Sequence, residues 1–411
     1  MNDTATQANQ AAMRAAVTTG QRTDVAGKFP DILSLEDFEE PARGYLPRPI
    51  FGYISGAVET NASLTGNRSA FAEYDFLPRV LVNTRSRNQK TTIFGRTYDL
   101  PFGFPPMGGT SLAAYDGDRV LARVAAQLNT VMIQSGASLI ALEKLKEVGP
   151  TAWFQAYLPG DPSIITPLVE RAQRAGFEVL VLTVDVQVAS NRENNVRNGY
   201  SSPLKPSPRL AWDCMIRPRW LFGNFCRTWM TTGMPHLENM GFSRMPILGN
   251  IERPRLARDG LAWEHVELMR KIWKGKLVLK GVLSPADVRI ARESGVDGLM
   301  ISNHGGRQLD GTVAPMRMLP AARSEAGNMT IMMDSGIRRG SDVLKALALG
   351  AQFVFIGRPF LYAASIGGED AVHHGANLMR EEISRNMAMM GISSVSEMKR
   401  EFLVPSRGGA I

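Results

Sequence analysis

The sequence is short of cysteine and histidine and lacks a long apolar run. Two cysteines in 411 residues exclude a scaffold held together by disulfides. The longest stretch without a charged residue, 124–142, contains glutamine, asparagine and serine, so it is too polar to form a membrane-spanning helix. Asp3 interrupts the N-terminus before any apolar segment begins, and we therefore expect no secretory signal.

The chain has the composition of a globular protein with an excess of basic residues. Apolar residues make up 44% and charged residues 21%, which is enough for a large core and excludes a wholly disordered chain. The 47 Lys and Arg outnumber the 39 Asp and Glu, which gives a net charge of +8. No recognition helix or RNA-binding motif accompanies this charge, so we expect no nucleic-acid partner.

Residues 1–30 differ in composition from the rest of the chain. They are rich in Ala, Thr, Gln and Asn and poor in large apolar side chains, which predicts a flexible tail. The segment that follows looks helical but is interrupted by Pro41, Pro47 and Pro49. We predict a single folded domain over 31–411, which begins with this helical extension.

From residue 100 onward, short apolar runs alternate with longer amphipathic stretches, as in βαβ units with buried parallel strands. Helix signals lie between the runs: Asp161 and Pro162 open one helix, Ser284 and Pro285 another, and Ser341 a third. The sequence therefore predicts an α/β fold, a (β/α)₈ TIM barrel with an N-terminal helical extension and a long insert after strand four. The eight runs are PFGFPPMG, NTVMIQS, AWFQAY, EVLVLTVD, LVLKGV, GLMISNHG, TIMMDSG and FVFIGR.

Almost every predicted strand ends in a polar residue or a glycine. A single polar residue there usually only begins a solvated loop. The C-terminal strand ends of a barrel face one mouth, however, so many such residues together indicate an active site. In strand order they are Gly108; Ser135; Gln155 and Tyr157; Thr183 and Asp185; Lys280; Ser302, His304 and Arg307; Asp334 and Gly336; Gly357 and Arg358.

Three segments after the last strands have a specific chemistry. DSGIRRG and IGRP place glycine and arginine where barrels bind phosphate, since glycine admits backbone amides and arginine adds a planar fork of donors. In SNHGGRQLDG, His304 can act as a base near neutral pH and Arg307 can clamp a carboxylate. The other histidines lie in loop or helix contexts, where a surface or packing role is the default: His236, His265, His373 and His374.

These motifs resemble the FMN-dependent L-2-hydroxy acid dehydrogenase and oxidase family. SNHGGRQLD resembles its active-site signature, and DSGIRRGSDVLKALALGA and IGRP resemble its FMN-phosphate region. FQAY, LTVD and LVLKG resemble its strands three to five, and the resemblance runs over 34–402. The pattern is most similar to the membrane-associated lactate and mandelate dehydrogenase branch. The resemblance implies FMN as cofactor and a small 2-hydroxy acid as substrate.

The resemblance also implies a role for each site residue. His304 is the expected catalytic base and Asp185 its partner, while Arg192 and Arg307 bind the substrate carboxylate. Tyr53 and Tyr157 are expected to bond the substrate, and whether the proton leaves Cα or the hydroxyl stays open.

No metal is expected. The expected cofactor contacts are Pro106, Met107 and Gly108 at the flavin ring; Ser135, Gln155, Thr183 and Ser302 at the flavin and ribityl chain; Lys280 at the flavin N1 edge; Asp334 at the ribityl chain; and Gly336, Arg338, Gly357 and Arg358 at the phosphate.

The electron acceptor and the substrate depend on small residues. Oxidases of the family carry Ala where Gly108 stands and mandelate dehydrogenase carries Gly, which favours a dehydrogenase that reduces membrane quinone or another carrier. Lactate monooxygenase shares the glycine, so an oxygen-using oxidase or monooxygenase stays the alternative. Ala137 and Ala189 predict room for substrates larger than glycolate, with lactate and mandelate as the leading candidates.

A non-catalytic flavin- or membrane-binding barrel is the alternative of another class. The family further implies a homo-oligomer, a tetramer.

The insert between strands four and five, 193–262, carries most of the excess charge. Over 197–258, ten basic and three acidic residues give a net charge of +7, so the rest of the chain is near +1. The insert also contains Trp212, Trp220 and Trp229 and both cysteines, Cys214 and Cys226, which we expect to be free thiols in a reducing compartment.

Basic residues mixed with Trp, Phe and Leu are typical of a segment that binds a membrane interface. The motif RPRW in the insert resembles HPRW in the membrane-associating segment of mandelate dehydrogenase. We therefore predict peripheral membrane contact through 197–258, on a cytoplasmic enzyme at the inner face of the cell membrane. The alternative is an active-site lid with a solvated basic face.

Overall fold

The computed structural model describes residues 27–240, 244–249 and 258–406. Most of the tail predicted over 1–30, namely residues 1–26, lies outside these ranges. The last residues of that segment belong to the fold, because Phe29 packs against His374 with 5.7 Å between ring centroids and Lys28 pairs with Asp370.

The described part of the chain begins with the predicted helical extension. Pro47 caps α2 and Pro49 lies in its first turn, a position where the missing amide hydrogen costs nothing. These prolines therefore begin a helix rather than break one, and α2 buries Ile50, Phe51 and Ile54. The elements are α1 (Glu39–Tyr45), α2 (Arg48–Ser55), α3 (Ala62–Ser69), β1 (Tyr74–Phe76), β2 (Thr91–Ile93) and β3 (Arg96–Tyr98), with 3₁₀ turns at Glu36–Phe38 and Ala70–Glu73.

Eight parallel strands form the predicted barrel, in the order β4-β13-β12-β11-β10-β7-β6-β5. A parallel bridge between Phe104 and Met132 joins the first and last strands of this order, so the sheet closes. The α/β barrel is confirmed. The strands are β4 (Phe102–Gly103), β5 (Ile133–Ser135), β6 (Trp153–Ala156), β7 (Val179–Thr183), β8 (His236–Leu237) and β9 (Met245–Pro246) of the insert, β10 (Lys276–Val282), β11 (Gly298–Ile301), β12 (Thr330–Met333), β13 (Phe353–Phe355) and β14 (Leu403–Pro405), which pairs with β1.

Helices surround the barrel. α7 begins at Pro162, and the Asp161 carboxylate accepts the Ser163 amide hydrogen at 2.8 Å, as predicted. The predicted start at Ser341 is wrong by one residue, because α15 begins at Gly340. The helices are α4 (Thr110–Ala113), α5 (Gly117–Gln127), α6 (Leu142–Lys146), α7 (Pro162–Arg174), α8 (Glu193–Asn198), α9 (Pro208–Met215), α10 (Pro218–Trp220), α11 (Arg227–Thr232), α12 (Trp263–Ile272), α13 (Pro285–Glu293), α14 (Pro315–Glu325), α15 (Gly340–Ala348) and α16 (Arg358–Met390), the last kinked at Gly367 and Gly368; a π-helical turn, Leu221–Cys226, joins α10 to α11, and 3₁₀ turns lie at Arg258–Gly260, Val395–Glu397 and Arg400–Phe402.

The barrel interior changes from apolar to polar along the strands. Alternate strand residues point inward, and a buried apolar cluster fills the lower interior, including Val181, Val278 and Met300. On six of the eight strands, β5, β6, β7, β10, β11 and β12, the next inward position two residues further along carries a polar group. This polar layer lies at the C-terminal mouth and consists of Ser135, Gln155, Thr183, Lys280, Ser302 and Asp334, all buried.

The insert forms α8 to α11 and the short β8–β9 hairpin. Trp220 is buried in it, and its indole N–H donates to the carbonyl of Leu112 at 2.7 Å, beside a second bond at 2.8 Å from Asn224. Trp220 therefore anchors the insert to the barrel, whereas Trp212 and Trp229 are 60% and 57% exposed. Within the described ranges, no helix is long and apolar enough to cross a membrane.

Candidate active site

A cavity of about 290 Å³ opens at the C-terminal mouth of the barrel. The residues that line it come from α2, from the strand ends and from the loops that follow them. Ala137 lines it as well, while Ala189 does not. The predicted site residues among its lining are Tyr53, Pro106, Met107, Gly108, Tyr157, Arg192, Lys280, His304, Arg307, Asp334, Gly336, Arg338, Gly357 and Arg358.

His304 and Asp185 form a largely buried pair at this mouth, with side chains 17% and 13% exposed. The Nδ1 atom of His304 lies 3.0 Å from Oδ1 of Asp185. The backbone of His304 is left-handed, with φ of 57°, and its amide donates to Ser302 Oγ at 3.0 Å. Gly281, at a bulge in β10, makes room for Asp185, since a Cβ at Gly281 would lie 2.6 Å from Asp185 Cγ. The carboxylate thus fixes the imidazole tautomer, with the proton on Nδ1 and Nε2 open to accept.

Burial keeps the histidine neutral, and the neighbouring positive charges keep the aspartate ionised. Burial lowers the pKa of His304 below its ordinary value, and the opposing attraction of Asp185 does not restore it. Burial disfavours the charged form of Asp185, but His304 and Lys280 outweigh that effect and lower the pKa of Asp185. At neutral pH the pair is therefore an imidazole that can accept a proton beside a carboxylate that stabilises the imidazolium.

Lys280 places a buried cation beside the pair. Its Nζ lies 3.1 Å from Oδ2 of Asp334 and donates to Ser302 Oγ at 2.8 Å. Burial disfavours the ammonium ion, but Asp334 and Asp185 outweigh that effect and raise the pKa of Lys280. The ammonium ion is thus held charged and in place at the mouth of the barrel.

Arginines converge on the cavity from several of the segments that follow the barrel strands. Arg307 donates to the carbonyls of Ile54 at 3.2 Å and Gly56 at 2.7 Å, and Arg358 donates to the same two carbonyls at 2.9 and 3.1 Å. Burial and the neighbouring Arg192 lower the pKa of Arg307 to about 10, and burial and Arg307 lower that of Arg358 to about 9. Cations that repel each other in this way favour the binding of anions.

The polar layer has unused hydrogen-bonding capacity. Ser135 Oγ donates to Gln155 Oε1 at 3.1 Å, but Gln155 Nε2 and Thr183 Oγ1 are buried with no hydrogen-bond partner among the described residues. Ser135 and Gln155 are not among the residues that line the cavity, and Thr183, Asp185 and Ser302 line a neighbouring cavity instead. A ligand with hydrogen-bonding atoms along one edge, such as the flavin ring of FMN, would satisfy these groups.

Glycines and arginines line the end of the cavity expected to hold phosphate. Gly336 has φ of 87°, and a Cβ there would lie 2.3 Å from the carbonyl oxygen of Asn67, so a side chain is excluded. Gly336 and Gly357 expose backbone at the cavity beside Arg338 and Arg358. This combination suits a phosphate group, and together with the polar layer it fits FMN.

Several residues around the cavity were not predicted from the sequence. The guanidinium of Arg258 lies over the ring of Tyr157 at 5.1 Å, although the sequence indicated only its charge. Gln308 accepts a hydrogen bond from Arg192, and its place within SNHGGRQLDG is a signal that could have identified it. The ring of Tyr200 stacks on that of Tyr53, a contact for which the sequence carries no local signal.

The chain is similar to known flavoenzymes over most of its length. Residues 42–405 match the family of FMN-dependent dehydrogenases. The chain is 35% identical over 390 residues to L-lactate oxidase of Lysinibacillus sphaericus, covering 94% of this chain and 96% of the oxidase. It is 32% identical over 377 residues to (S)-mandelate dehydrogenase of Pseudomonas putida, covering 91% and 94%. L-lactate dehydrogenase of Caulobacter vibrioides is 34% identical over 390 residues, covering 92% of this chain and all of that enzyme.

The fold is also similar to those of solved structures of mandelate-oxidising enzymes. The crystal structure of the monotopic membrane protein (S)-mandelate dehydrogenase superimposes with a TM-score of 0.85 at 31% identity, covering 92% of this chain and 100% of that one. A crystal structure of mandelate oxidase superimposes with a TM-score of 0.76 at 33% identity, covering 92% and 99%. The matched region 42–405 includes every barrel strand and the insert.

Proposed function

Because the chain belongs to the FMN-dependent dehydrogenase family, we propose that it oxidises an L-2-hydroxy acid of the lactate or mandelate type to the 2-oxo acid. The electrons removed from the hydroxy acid pass to membrane quinone or another carrier. The observation that carries this proposal is the His304–Asp185 pair, 3.0 Å apart, in a cavity that Arg192 and Arg307 also line. A base and two fixed cations are what a carboxylate-bearing alcohol requires.

His304 is the base of the proposed reaction. With Nδ1 held by Asp185, the Nε2 atom takes one proton from the substrate, and Asp185 stabilises the imidazolium that forms. When bound, FMN would accept the two electrons and the second proton that the substrate loses. Lys280 would stabilise negative charge on the reduced flavin, because a buried cation in a dry site loses little of its field to solvent.

The substrate is oriented by its carboxylate and its hydroxyl. Arg192 is held by Gln308 and by the carbonyl of Arg307, and it forms with Arg307 the two-cation clamp for the carboxylate. Tyr53 and Tyr157 bond the rest of the substrate's polar face. Burial raises the pKa of Tyr157 to about 12, so its phenol stays protonated and can donate.

The proposed site would hold FMN at both ends. Pro106, Met107 and Gly108 would form the wall against the flavin ring, and Ser135, Gln155, Thr183 and Ser302 would offer hydrogen bonds to the flavin and ribityl chain. Asp334 would bond the ribityl hydroxyls. Gly336, Arg338, Gly357 and Arg358 would hold the phosphate. The open atoms Gln155 Nε2 and Thr183 Oγ1 support this placement.

Anaerobic reduction tests the proposal directly. The FMN-loaded protein is mixed without oxygen with lactate, glycolate, mandelate, 4-hydroxymandelate and long-chain 2-hydroxy acids, and loss of the yellow absorbance is followed. We expect bleaching by lactate or mandelate and slow reoxidation in air. A protein that no 2-hydroxy acid bleaches would be the non-catalytic flavin-binding alternative.

An oxygen-using oxidase or monooxygenase is the second candidate, supported by the similarity to L-lactate oxidase. The residue at position 108 bears on the choice between dehydrogenase and oxidase, because oxidases of the family carry Ala where this chain has Gly108. A Cβ at Gly108 would lie 3.1 Å from the Cβ of Ala137 and 3.4 Å from the hydroxyl of Tyr53, so the wall beside the flavin is tightly packed. An oxygen electrode decides: turnover in air as fast as with a quinone or dye acceptor would establish the oxidase.

The insert is the proposed membrane contact, on a cytoplasmic enzyme at the inner face of the cell membrane. Trp212 and Met215 on α9 and Ile216 at its C-terminal cap are spaced to share one side of the helix, and all three are exposed. On the helical run that follows, Phe222, Trp229 and Met230 are exposed too. Exposed Arg209 and Arg219 lie in the same segment, and each would contribute about 1 kcal/mol near an anionic leaflet. The similarity to a monotopic membrane enzyme supports this role.

Co-sedimentation with anionic liposomes tests the membrane contact. A variant in which a short linker replaces 201–245 should remain in the supernatant, whereas the parent should sediment. Equal binding by both proteins would leave the insert as an active-site lid only. Turnover with a water-soluble dye provides the control for folding, since the proposed catalytic groups lie outside the deleted residues.

A further inference from the structure

The first helix of the insert is interlocked with the helix that carries Tyr53. Asn194 on α8 donates from Nδ2 to the carbonyl of Gly52 on α2 at 2.7 Å. A Cβ at Gly52 would lie 2.6 Å from Cγ of Asn198, and a Cβ at Gly56 would lie 2.0 Å from Nδ2 of Asn194. The two glycines therefore form a notch that receives the two amide side chains and fixes α8 against α2.

The end of α8 directs Tyr200 onto Tyr53. Gly199 ends the helix with φ of 77°, and the amide of Tyr200 donates to the carbonyl of Asn195 at 2.8 Å, which is a Schellman cap. The ring of Tyr200 then stacks on that of Tyr53, with 4.3 Å between centroids and 16° between planes. The backbone of the cap thus sets the direction of the Tyr200 side chain.

Tyr53 lies at the cavity, whereas Tyr200 is not among the residues that line it. The hydroxyl of Tyr53 lies 3.5 Å from the carbonyl of Gly108, and the guanidinium of Arg307 lies 4.9 Å from its ring centroid. The bond to Gly108 is at the long limit for a hydrogen bond, so it holds the ring only weakly. The stack with Tyr200 is the closest ring contact that Tyr53 makes among the described residues.

We propose that Tyr200 is a positioning residue that holds Tyr53 in place by stacking, and that through it the attachment of the insert sets the affinity for the substrate. The inference rests on the proposed role of Tyr53 in binding the substrate. A ring free to rotate away from the cavity would have to be ordered on each binding event, which weakens binding.

The test uses the FMN-loaded protein and oxalate, a dicarboxylate without an oxidisable hydroxyl. Its Kd is measured from the perturbation of FMN absorbance, beside KM and kcat for the best substrate of the screen. Tyr200→Ala and Tyr200→Leu should raise Kd and KM about threefold to tenfold, the range expected for the loss of one aromatic pair, with a smaller change in kcat. Tyr200→Phe, which keeps the ring, should bind within about twofold of the parent.

A control and a double variant separate positioning from a general loss of structure. Phe222→Ala removes an exposed ring from the same insert and should leave Kd unchanged. Tyr200→Ala added to Tyr53→Ala should weaken binding no further, because the proposed effect of Tyr200 on the substrate passes through Tyr53.

Additive losses in the double variant would overturn the proposal, as would equal losses for Tyr200→Phe and Tyr200→Ala. If Tyr53→Ala weakens oxalate binding and neither Tyr200→Ala nor Tyr200→Leu does, only the coupling to the insert is wrong. If Tyr53→Ala itself binds oxalate as the parent does, the role proposed for Tyr53 is wrong, and the positioning role of Tyr200 is overturned with it.

Discussion

The barrel mouth and the insert are both rich in arginine, but they use it in opposite ways. At the mouth, Arg307 and Arg358 are partly buried and donate to main-chain carbonyls. Burial and a neighbouring arginine, Arg192 for Arg307 and Arg307 for Arg358, lower their pKa values to about 10 and about 9. In the insert, Arg209 and Arg219 are exposed to solvent. The first set is arranged to bind small anions of defined shape, and the second set suits a broad charged surface.

Tryptophan shows the same contrast within the insert alone. Trp220 is 3% exposed and bonded to the barrel, while Trp212 and Trp229 lie largely in solvent. Composition counts all three equally, but only the exposed two can enter a membrane interface. Fixed, inward-facing groups should therefore govern chemistry and stability, and exposed groups should govern location.

The largest expected effect concerns the base at the mouth. His304→Gln should reduce kcat by ~10²–10⁴-fold, because the side chain can no longer accept the substrate proton. FMN absorbance and the thermal unfolding curve serve as controls and should match those of the parent. Stopped-flow reduction of the flavin measures the rate, and an unchanged rate would remove His304 from the mechanism.

The fixed arginines at the mouth come next. Arg192→Lys keeps the charge but loses the planar fork, so kcat/KM should fall roughly 10- to 100-fold, the size of a hydrogen bond to a charged group. Arg209→Lys in the insert is the matched control and should leave kcat/KM unchanged. Equal effects at the two positions would break the distinction between the two sets of arginines.

The exposed tryptophans should alter location without altering chemistry. Trp212→Ser combined with Trp229→Ser should weaken binding to anionic vesicles at least about tenfold, since each large side chain contributes roughly 1.5–3 kcal/mol when it leaves water. Turnover with a dye acceptor should stay the same. Met389→Ser, at an exposed apolar residue outside the insert, is the control for vesicle binding.

The buried tryptophan should act on stability instead. Trp220→Phe removes the donor to Leu112 and should lower the free energy of unfolding by about 1 kcal/mol. Trp229→Phe should change it by less than about 0.5 kcal/mol. Urea denaturation of the two variants compares them, and equal values would contradict the anchoring role of Trp220.

The smallest effect is expected from pH above neutrality. The pKa of His304 is lowered below 6.5, so its neutral form is already dominant at pH 7, and kcat/KM should change by less than about twofold between pH 7 and 8. Below that pKa the imidazole is protonated and kcat/KM should fall with pH. A profile that rises steeply above pH 7 would show that another group limits the rate.

Much of the barrel could be predicted from the sequence, because its signal is local. Each strand is a short apolar run, and the polar residue that follows the last inward apolar one marks the mouth, as Val181 and Thr183 or Val278 and Lys280 show. Parallel strands then bring these ends together without any further information. The roles of the site residues rested instead on the family resemblance.

The rest depends on contacts between distant residues. The stack of Tyr200 on Tyr53 and the bond from Trp220 to Leu112 join positions more than a hundred residues apart, and neither partner is unusual in its local sequence. Burial of Trp220 in particular could not be predicted, since exposed and buried tryptophans read the same in a composition count. Such contacts follow only from the packed structure.

The closure of the barrel also has a consequence for synthesis. One side of β4 pairs with β13, through Val354 and Phe102. The first barrel strand therefore has no partner on that side until β13, the last barrel strand, has been synthesised. At about 5–20 residues per second, the ribosome needs roughly 10–50 s to add the intervening chain. During that time the nascent sheet has an open edge, and we expect the protein to rely on its early helices or on chaperones to cover that edge until the eighth strand emerges.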